Sequence, residues 1–424
     1  MRQTQASECG GASLTGNLRT DGGGDALAPI HLLYTARALR GFGDGFAVVI
    51  LPAYLALIGF NAALIGIVAA TALLGTALVT LLIGFVAPRH DLRNMLIAGA
   101  ALMTATGLAF PQFELPALLL VVAFIGTINP SSSDLGPLIP IEHAMLAQGS
   151  ADGERTRTFA RYSFIGALAM AAGALAAGVP DVLIANGVDR LAAFKAMFYA
   201  YAALGLLSAF IYLRLPHMQA ERRAPAALLG PSRGVVIKLA ALFSLDAFAG
   251  GFAVQSLMAL WLFVRFDLSL AATGLFFFWS SVLAAFSYPA AAWIARRIGL
   301  VNTMVYTHIP SSICLILAAL SPNLTLALGL LLIRSALSQM DVPTRSSYVM
   351  AVVTPPERPA AASVTAVPRS LASSLSPALA GALLGTSFLA LPLILCGALQ
   401  IAYDVALLFT FRRVKPPEET CETD

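Results

Sequence analysis

The chain has 424 residues, of which 58% are hydrophobic and only 11% are charged, and its mean hydropathy is +0.81. This apolar fraction is higher than the core of a soluble protein requires, whereas a protein that crosses a bilayer many times needs it. The net charge of +4 does not indicate a nucleic-acid-binding protein, because the basic residues lie in short segments between long apolar spans.

The chain begins with a polar segment, residues 1–28, which is rich in Gly, Ser and Thr and has no apolar core. This composition predicts a disordered cytoplasmic tail rather than a cleaved signal peptide, so the first apolar span must itself direct membrane insertion. The four cysteines are scattered and lack the spacing of a metal site or a disulfide framework. We therefore expect free thiols and no metal site.

Twelve apolar spans follow, each of about 20 residues and long enough to cross a bilayer as a helix. Their predicted positions are 40–60, 64–86, 92–110, 116–138, 158–179, 193–213, 240–264, 270–294, 300–320, 324–344, 362–386 and 391–411. A basic, proline-containing linker at 214–234 separates six spans from six. The predicted fold is an all-α membrane protein with two six-helix bundles, residues 29–213 and 235–412, and a second cytoplasmic tail at 413–424.

The distribution of Lys and Arg predicts the orientation of these spans. With the amino terminus placed inside, the outer loops hold only Arg190, Lys195 and Arg265, whereas 21 of the 26 basic residues fall on or next to the cytoplasmic side. Basic residues are strongly enriched on the cytoplasmic side of membrane proteins. Both termini are therefore predicted to be cytoplasmic.

The two sets of spans are related by an internal repeat. The sequence Gly45-Phe-Ala-Val recurs 206 positions later, starting at Gly251, and the same offset places Arg40 opposite Asp246. Two further anchors recur at offsets of 203 and 207, namely 155–178 with 358–381, and Asp134 with Asp341. Two repeats of the same topology predict two bundles related by a pseudo-twofold axis along the membrane normal.

These features resemble the major facilitator superfamily over spans 1 to 12. The family carries a Gly-x-x-x-Asp-Arg-x-Gly-Arg-Arg type motif between spans 2 and 3, and here that place reads Gly84-Phe-Val-Ala-Pro88-Arg89-His90-Asp91-Leu92-Arg93. Pro88 stands where the family has aspartate, and Arg296 does so in the second half, so the motif is degenerate. The stretches 130–146 and 340–353 resemble a bacterial branch of the family.

The resemblance implies a secondary active transporter that moves a small solute across the cytoplasmic membrane by alternating access. We expect a monomer that needs no cofactor, uses the proton gradient, exports a drug or metabolite, and has lipid, protons and the solute as partners, but no nucleic acid. Proton-coupled uptake and facilitated diffusion remain open, and a sensor on the same scaffold is more remote. A membrane-embedded transferase is also remote, because its sole acid–base candidate is Glu142-His143 near the cytoplasmic surface.

In the family, the first, second, fourth and fifth spans of each half line the cavity. The resemblance therefore implies which polar residues of this chain face the cavity. The implied proton-coupling residues are Asp44, Arg40 and Asp246. The implied substrate-cavity residues are Asn129, Gln255, Arg334, Gln339 and Arg369. The implied network at the cytoplasmic end comprises Arg89, Asp134, Arg161, Asp341 and Arg345. His308 and Asp404, on spans 9 and 12, are expected to be peripheral, and His308 to be structural.

Simpler roles compete with several of these assignments. Asp44 lies one helical turn from Arg40, so the two side chains can pair without a functional role. Arg334 lies near the membrane midplane, where it either anchors an anionic or polar substrate group or binds Asp341. Asp341 lies near the predicted cytoplasmic end of span 10, where it can simply bind Arg345. Three prolines, at 130, 137 and 140, predict that span 4 is not a straight helix.

Overall fold

The structure is a computed structural model that describes residues 27–131, 136–150, 155–219, 229–354 and 357–411. Some predicted features lie outside these residues. They are most of the tail predicted at 1–28, the whole tail predicted at 413–424 with its neighbour 412, residues 220–228 of the linker, and Asp134. Within the described residues the fold is helical throughout, with an isolated β-bridge between Asp91 and Gln219.

Within the residues that the structure describes, the first half contains eight α-helices. They are α1 (Leu27–Leu57), α2 (Ala62–Val86), α3 (Leu92–Ala109), α4 (Pro116–Ile125), α5 (Ile139–Gly149), α6 (Arg155–Ala176), α7 (Val179–Ala185) and α8 (Arg190–Tyr212). The second half contains eight more. They are α9 (Arg233–Gly251), α10 (Gln255–Phe266), α11 (Leu270–Ile298), α12 (Leu300–Leu320), α13 (Leu324–Ser338), α14 (Asp341–Val352), α15 (Arg358–Leu384) and α16 (Leu391–Phe411).

Several predicted spans are two helices in succession. Spans 4, 5, 7 and 10 correspond to α4 with α5, α6 with α7, α9 with α10, and α13 with α14. Span 4 is broken between the end of α4 at Ile125 and the start of α5 at Ile139, in the region where the prolines predict it. The predicted end of span 4 at 138 is wrong, because α5 continues inward to Gly149. The predicted start of span 1 is also wrong, because helix α1 already begins at Leu27.

Ten helical stretches of the described chain are long and apolar enough to cross a membrane. The other two predicted spans are weaker by this measure. Helix α4 has only 10 residues, and α15 has 27 residues but is interrupted by serines and by Arg369. The protein is therefore a multi-pass membrane protein, and the number of twelve spans stays a prediction.

The helices of the two halves pack in the same pattern, as the internal repeat predicts. Helix α1 packs on α6 and α8, and its counterpart α9 packs on α15 and α16. Helix α3 packs on α8 as α12 packs on α16. A side chain at Gly45 would collide with Met170 on α6, and one at Gly251, 206 positions later, would collide with Ser373 and Ser376 on α15. Glycine is required at these positions because the helix backbones touch.

The halves meet at one end of the bundle, the end that holds residues 58–61 and 267–269, which we call the outer end after the predicted orientation. There α2 packs on α15 and α6 packs on α11. Gly66 and Gly381 bring the backbones of α2 and α15 together, and the Asp181 carboxylate accepts a hydrogen bond from the Ala271 N–H at 3.0 Å. The contact between the halves is thus close and specific at this end.

The apolar core divides in the same way. A large cluster at the outer end includes residues of both halves, such as Phe46, Ile65, Leu257 and Phe276. Toward the opposite, inner end the core separates into one cluster within residues 33–215 and another within residues 236–411. With the predicted orientation, a core that is shared at the outer end and separate at the inner end corresponds to an inward-facing arrangement of the two bundles.

Candidate functional site

The first half contains a buried ion pair that ties α1 to α5. The Arg40 guanidinium contacts the Glu142 carboxylate, and Glu142 is fully buried. The hydroxyls of Tyr162 and Tyr212 also donate to this carboxylate, Tyr212 at 2.6 Å. Glu142 is therefore enclosed by helices of the bundle and is not an exposed residue. Because α5 extends span 4 by eleven residues, Glu142 sits inside the bundle.

Asp44 has a different environment from the one predicted by its spacing from Arg40. Arg40 turns to Glu142, and the Asp44 carboxylate instead accepts a hydrogen bond from the Tyr201 hydroxyl at 3.3 Å. The Tyr201 hydroxyl also lies 3.1 Å from the Thr127 hydroxyl, in the broken part of span 4. Asp44 as a residue is only half-buried.

Asp44 lines a small cavity between α1 and the break in span 4. Its volume is about 30 Å³, room for one or two water molecules. The polar side chains in its wall are Arg37, Arg40, Asp44, Thr127, Asn129, Ser131 and Tyr201. The predicted coupling residues Asp44 and Arg40 and the predicted cavity residue Asn129 therefore share one polar cavity.

The second half contains a corresponding ion pair on α9 and α14. Asp246 contacts Arg345 at 2.8 Å, and Arg345 also contacts Asp341 at 3.2 Å, one helical turn away on α14. All three side chains are buried. Asp341, the first residue of α14, thus binds Arg345 rather than Arg334, and α14 continues for eleven residues beyond it to Val352.

The two ion pairs occupy equivalent places with opposite charges. Arg40 on α1 corresponds to Asp246 on α9, and Glu142 on α5 lies 203 positions before Arg345 on α14. In both halves the first span is therefore tied to the inner part of the fourth by a buried Arg–carboxylate contact. The repeat has conserved the contact between its two copies while exchanging the residue types.

A second buried polar cluster joins α12 to α16. His308 Nδ1 lies 3.0 and 3.1 Å from the two carboxylate oxygens of Asp404, which is fully buried. His308 Nε2 lies 3.9 Å from Asp246 on α9. One turn further, the Ser312 hydroxyl donates to Gln400 at 3.3 Å. His308 and Asp404 are therefore not isolated at the periphery, because His308 links them to the Asp246–Arg345 pair.

Arg334 and Arg369 differ from the arginines already described. Neither forms an ion pair within the described residues, and the Nε atom of each is buried without a hydrogen-bond partner there. Arg334 lies in the last turns of α13, and Arg369 lies in the middle of α15. An arginine that reaches membrane depth without an acidic partner is costly, and such residues commonly serve ligands or ions.

The remaining predicted cavity residues lie at the breaks of the paired helices. Gln339 is the residue that ends α13, and Gln255 is the first residue of α10. Next to Gln255, the Ser256 N–H donates to the Pro130 carbonyl at 3.1 Å, across the two halves. Asn129 precedes that proline and accepts a hydrogen bond from the Ser131 N–H at 2.9 Å. The breaks of spans 4 and 7 thus meet at the interface between the halves.

The predicted network at the inner end is only partly assembled. Arg89, in a short 3-10 helix after α2, and Arg161 on α6 are exposed, and neither lies against Asp341 or Arg345 through a described ion pair. The segment that carries the degenerate motif instead uses Asp91, which accepts a hydrogen bond from His217 at 2.7 Å. Burial raises the pKa of Asp91, but this bond and those from the Arg93 and Asn94 N–H groups outweigh it and lower the pKa.

The sequence did not identify Glu142, Tyr162, Tyr201 and Tyr212 as members of the site. A carboxylate beyond the assumed end of a span resembles a headgroup residue, and a tyrosine in a span resembles an interfacial anchor. The offset of 203 between Glu142 and Arg345 was the available signal, because the repeat already related Arg40 to Asp246.

Comparisons with known proteins agree with this architecture. The sequence profile of the Major Facilitator Superfamily matches residues 33–340. A membrane protein of Saccharomyces cerevisiae (strain ATCC 204508 / S288c) is 27% identical over 423 residues, which cover 91% of this chain and 94% of the yeast protein.

Solved structures share the fold at low sequence identity. The nucleoside transporter NupG is 15% identical with a TM-score of 0.71, and the match covers 90% of this chain and 99% of NupG. The inward-open xylose transporter XylE from E. coli is 14% identical with a TM-score of 0.69, covering 92% and 97%. A bacterial homologue of the iron transporter ferroportin, in an inward-facing state, is 16% identical with a TM-score of 0.70, covering 90% and 98%.

Proposed function

Because the chain belongs to the Major Facilitator Superfamily, a family of membrane transporters and not of enzymes, we propose that it moves a small polar or anionic solute by proton-coupled alternating access. Membership of this family excludes the alternative of a membrane-embedded transferase. Helices α2, α15, α6 and α11 bring the halves together at the outer end, and the separate inner cores leave the site approachable from the other end. This asymmetry supports a carrier that exposes its site to one side at a time.

The observation that carries the substrate class is a pair of buried arginines that form no ion pair within the described residues, Arg334 and Arg369. A guanidinium presents a planar fork of N–H donors that binds carboxylate or phosphate oxygens in a bidentate way. A solute with such a group would satisfy the buried Nε atoms that have no partner in the described residues. Arg334 is the proposed anchor, with Arg369, Gln255, Gln339 and Asn129 as further cavity residues.

Asp44 is the proposed coupling residue of the first half. Its carboxylate is half-buried, faces a cavity with room for water, and is not held by the neighbouring arginine, whose partner is Glu142. A carboxylate in this position can exchange a proton with water without breaking an ion pair. Arg40 and Asp246 take part through the buried pairs that hold α1 on α5 and α9 on α14.

Proton-coupled export of a drug or metabolite from the cytoplasm is the favoured direction of transport. Proton-coupled uptake and facilitated diffusion are the competing modes. The relatives include a nucleoside transporter and a xylose transporter, but the identity to each is too low to transfer the substrate. A cytoplasmic-membrane location with both termini inside belongs to the same proposal.

The test is a solute screen with the purified protein in proteoliposomes, with and without an imposed pH gradient. Organic anions and phosphorylated solutes should be moved, and their accumulation should depend on the gradient. Arg334→Gln should abolish that transport, whereas Arg265→Gln, at an exposed position in the last turn of α10, should not. Transport that is independent of the gradient would refute proton coupling, and transport that survives in Arg334→Gln would refute the anchor.

A further inference from the structure

The second half contains a group of buried charges that do not balance. Within the described residues, His308 is approached by carboxylates from two helices, Asp404 on α16 and Asp246 on α9. Arg345 on α14 binds Asp246 and brings a third carboxylate, that of Asp341. Arg369 lies on α15, which packs on both α9 and α14, and it brings a second guanidinium near Asp246 and Asp341.

Counting the charges shows what is missing. Three carboxylates face two guanidinium groups, so the cluster has a net charge of −1 when the imidazole is neutral. A buried net charge in a membrane-spanning bundle costs at least a few kcal/mol. One additional proton, on His308 or shared with Asp404, makes the cluster neutral. The titratable residue that remains beside the ring is Tyr403, whose hydroxyl has no described partner.

Two neighbouring groups do not alter this count. Helix α13 also packs against α12, but the charge of its Arg334 acts on Cys396 and not on the carboxylates of the cluster. Helix α11 has no acidic or basic side chain before Arg296, near its inner end. The corresponding group in the first half needs no proton, because Arg37 and Arg40 there balance Asp44 and Glu142.

The geometry of the imidazole leads to the same result. Both ring nitrogens face carboxylate oxygens, Nδ1 at 3.0 Å from Asp404 and Nε2 at 3.9 Å from Asp246. A neutral imidazole has one N–H, so its other nitrogen would direct a lone pair toward a carboxylate. The imidazolium has an N–H on both sides and suits both neighbours. Charge and geometry thus both favour the protonated ring.

We propose that His308, Asp404 and Asp246 form a proton-binding site in the second half, and that this site is occupied in the inward-facing conformation. The proton comes from water and returns to water. When it leaves, a net negative charge remains buried among α9, α12, α14 and α16, and this disfavours the present packing. Only the last step, that this proton drives the solute, rests on the proposed function.

The test measures proton binding directly and needs no solute. The full-length protein in lipid nanodiscs is titrated between about pH 5 and pH 9, which brackets the range of perturbed histidines, while infrared difference spectra report ring and carboxyl protonation. His308→Gln should lose one histidine signal and gain the signal of a protonated carboxyl, because a carboxyl must then hold the proton. His143→Gln removes a histidine of the first half. It should keep the titration of the cluster that the infrared difference spectra of the parent show.

Thermal unfolding against pH gives the second readout. A folded state that holds an additional proton loses stability as pH rises, since it binds more protons than the unfolded state. The melting temperature of the parent should therefore fall as pH rises through the release of this proton, and that of His308→Gln should fall more steeply. Asp404→Asn and the double variant His308→Gln/Asp404→Asn have balanced charges without the proton. Their melting temperatures should therefore change little with pH.

The outcomes separate this site from the proposed function. A merely structural His308–Asp404 contact predicts that both single variants lose stability alike at every pH, and that result would overturn the proposal. If His308→Gln does not fold, the balanced double variant still decides, because a steep parental profile in it would refute the site. Titration without solute transport would refute the proposed function alone, and gradient-driven transport without titration of His308 would refute the site alone.

Discussion

Glu142 shows how one residue holds an inner part of the bundle together. Its carboxylate accepts bonds from Arg40, Tyr162 and Tyr212, which lie on three different helices. Replacement by glutamine removes the charge and leaves the buried Arg40 guanidinium without its counterion. Breaking a buried ion pair in this way typically costs about 3–5 kcal/mol. We expect Glu142→Gln to lower the melting temperature of the detergent-solubilised protein markedly.

The double variant Arg40→Gln/Glu142→Gln is the control for this expectation. It removes both charges together, so it should melt at a higher temperature than Glu142→Gln alone. A double variant that is no more stable than the single one would mean that the tyrosine hydrogen bonds, and not the charge, make Glu142 important.

Asp44 is expected to matter for coupling more than for folding. Its only described hydrogen bond is the one from Tyr201, and Asn at this position can still accept that bond. Asp44→Asn should therefore fold and express normally, lose accumulation of solute driven by the pH gradient, and retain exchange of solute across the membrane. The measurement is uptake and counterflow in proteoliposomes with a solute identified by the screen.

Arg40→Gln provides the comparison for Asp44→Asn. Since Arg40 binds the fully buried Glu142, its loss should destabilise the protein rather than uncouple it. Accumulation by Asp44→Asn equal to that of the parent would show that Asp44 is not the coupling residue and would leave the second-half cluster as the remaining candidate.

Among the helices, the contact of α2 with α15 was foreseeable only in part. Glycines in a helix allow a close approach of backbones, and Gly41 and Gly45 of span 1 lie against α6. Gly66 and Gly381 allow the same close approach of backbones between the halves. No local sequence pattern distinguishes them from Gly84, where an added Cβ would have nothing within 4 Å. The difference depends on how far each helix leans toward its partner, and a sequence of one chain does not contain that information.

A large side chain at Gly66 should therefore shift the protein away from this conformation. Because its first side-chain carbon would meet the Gly381 backbone, Gly66→Leu should separate α2 from α15 at the outer end. A cysteine at Ala62, in a background without the native cysteines, should then react faster with a thiol reagent. Gly84→Leu, in the same helix, should leave that rate unchanged. Equal rates in both variants would contradict a closed outer end.

For the whole molecule, the sequence predicted the two bundles because the repeat and the apolar spans are properties of composition and spacing. It did not predict the partner of Arg40, because a neighbour on the same helix face looked sufficient and Glu142 lay beyond the assumed end of span 4. It placed His308 at the periphery, because the span order says which helices line a cavity but not which side chains extend between them. The repeat had already placed Arg40 opposite Asp246, but only the folded halves showed that Glu142 and Arg345 are the partners of these two residues.

The orientation of the whole molecule is the last prediction, and it depends on the basic residues alone. Cysteines at Ser13 and Thr420 should resist a membrane-impermeant thiol reagent in intact cells. The reason is that the distribution of the basic residues, 21 of them on or next to one side, predicts that both termini are cytoplasmic. A cysteine at Asn61, an exposed residue between α1 and α2, should react. Permeabilised cells should label at all three positions, which shows that each thiol is reactive. Labelling of either terminus from outside would invert the topology, and the closed end of the bundle would then face the cytoplasm.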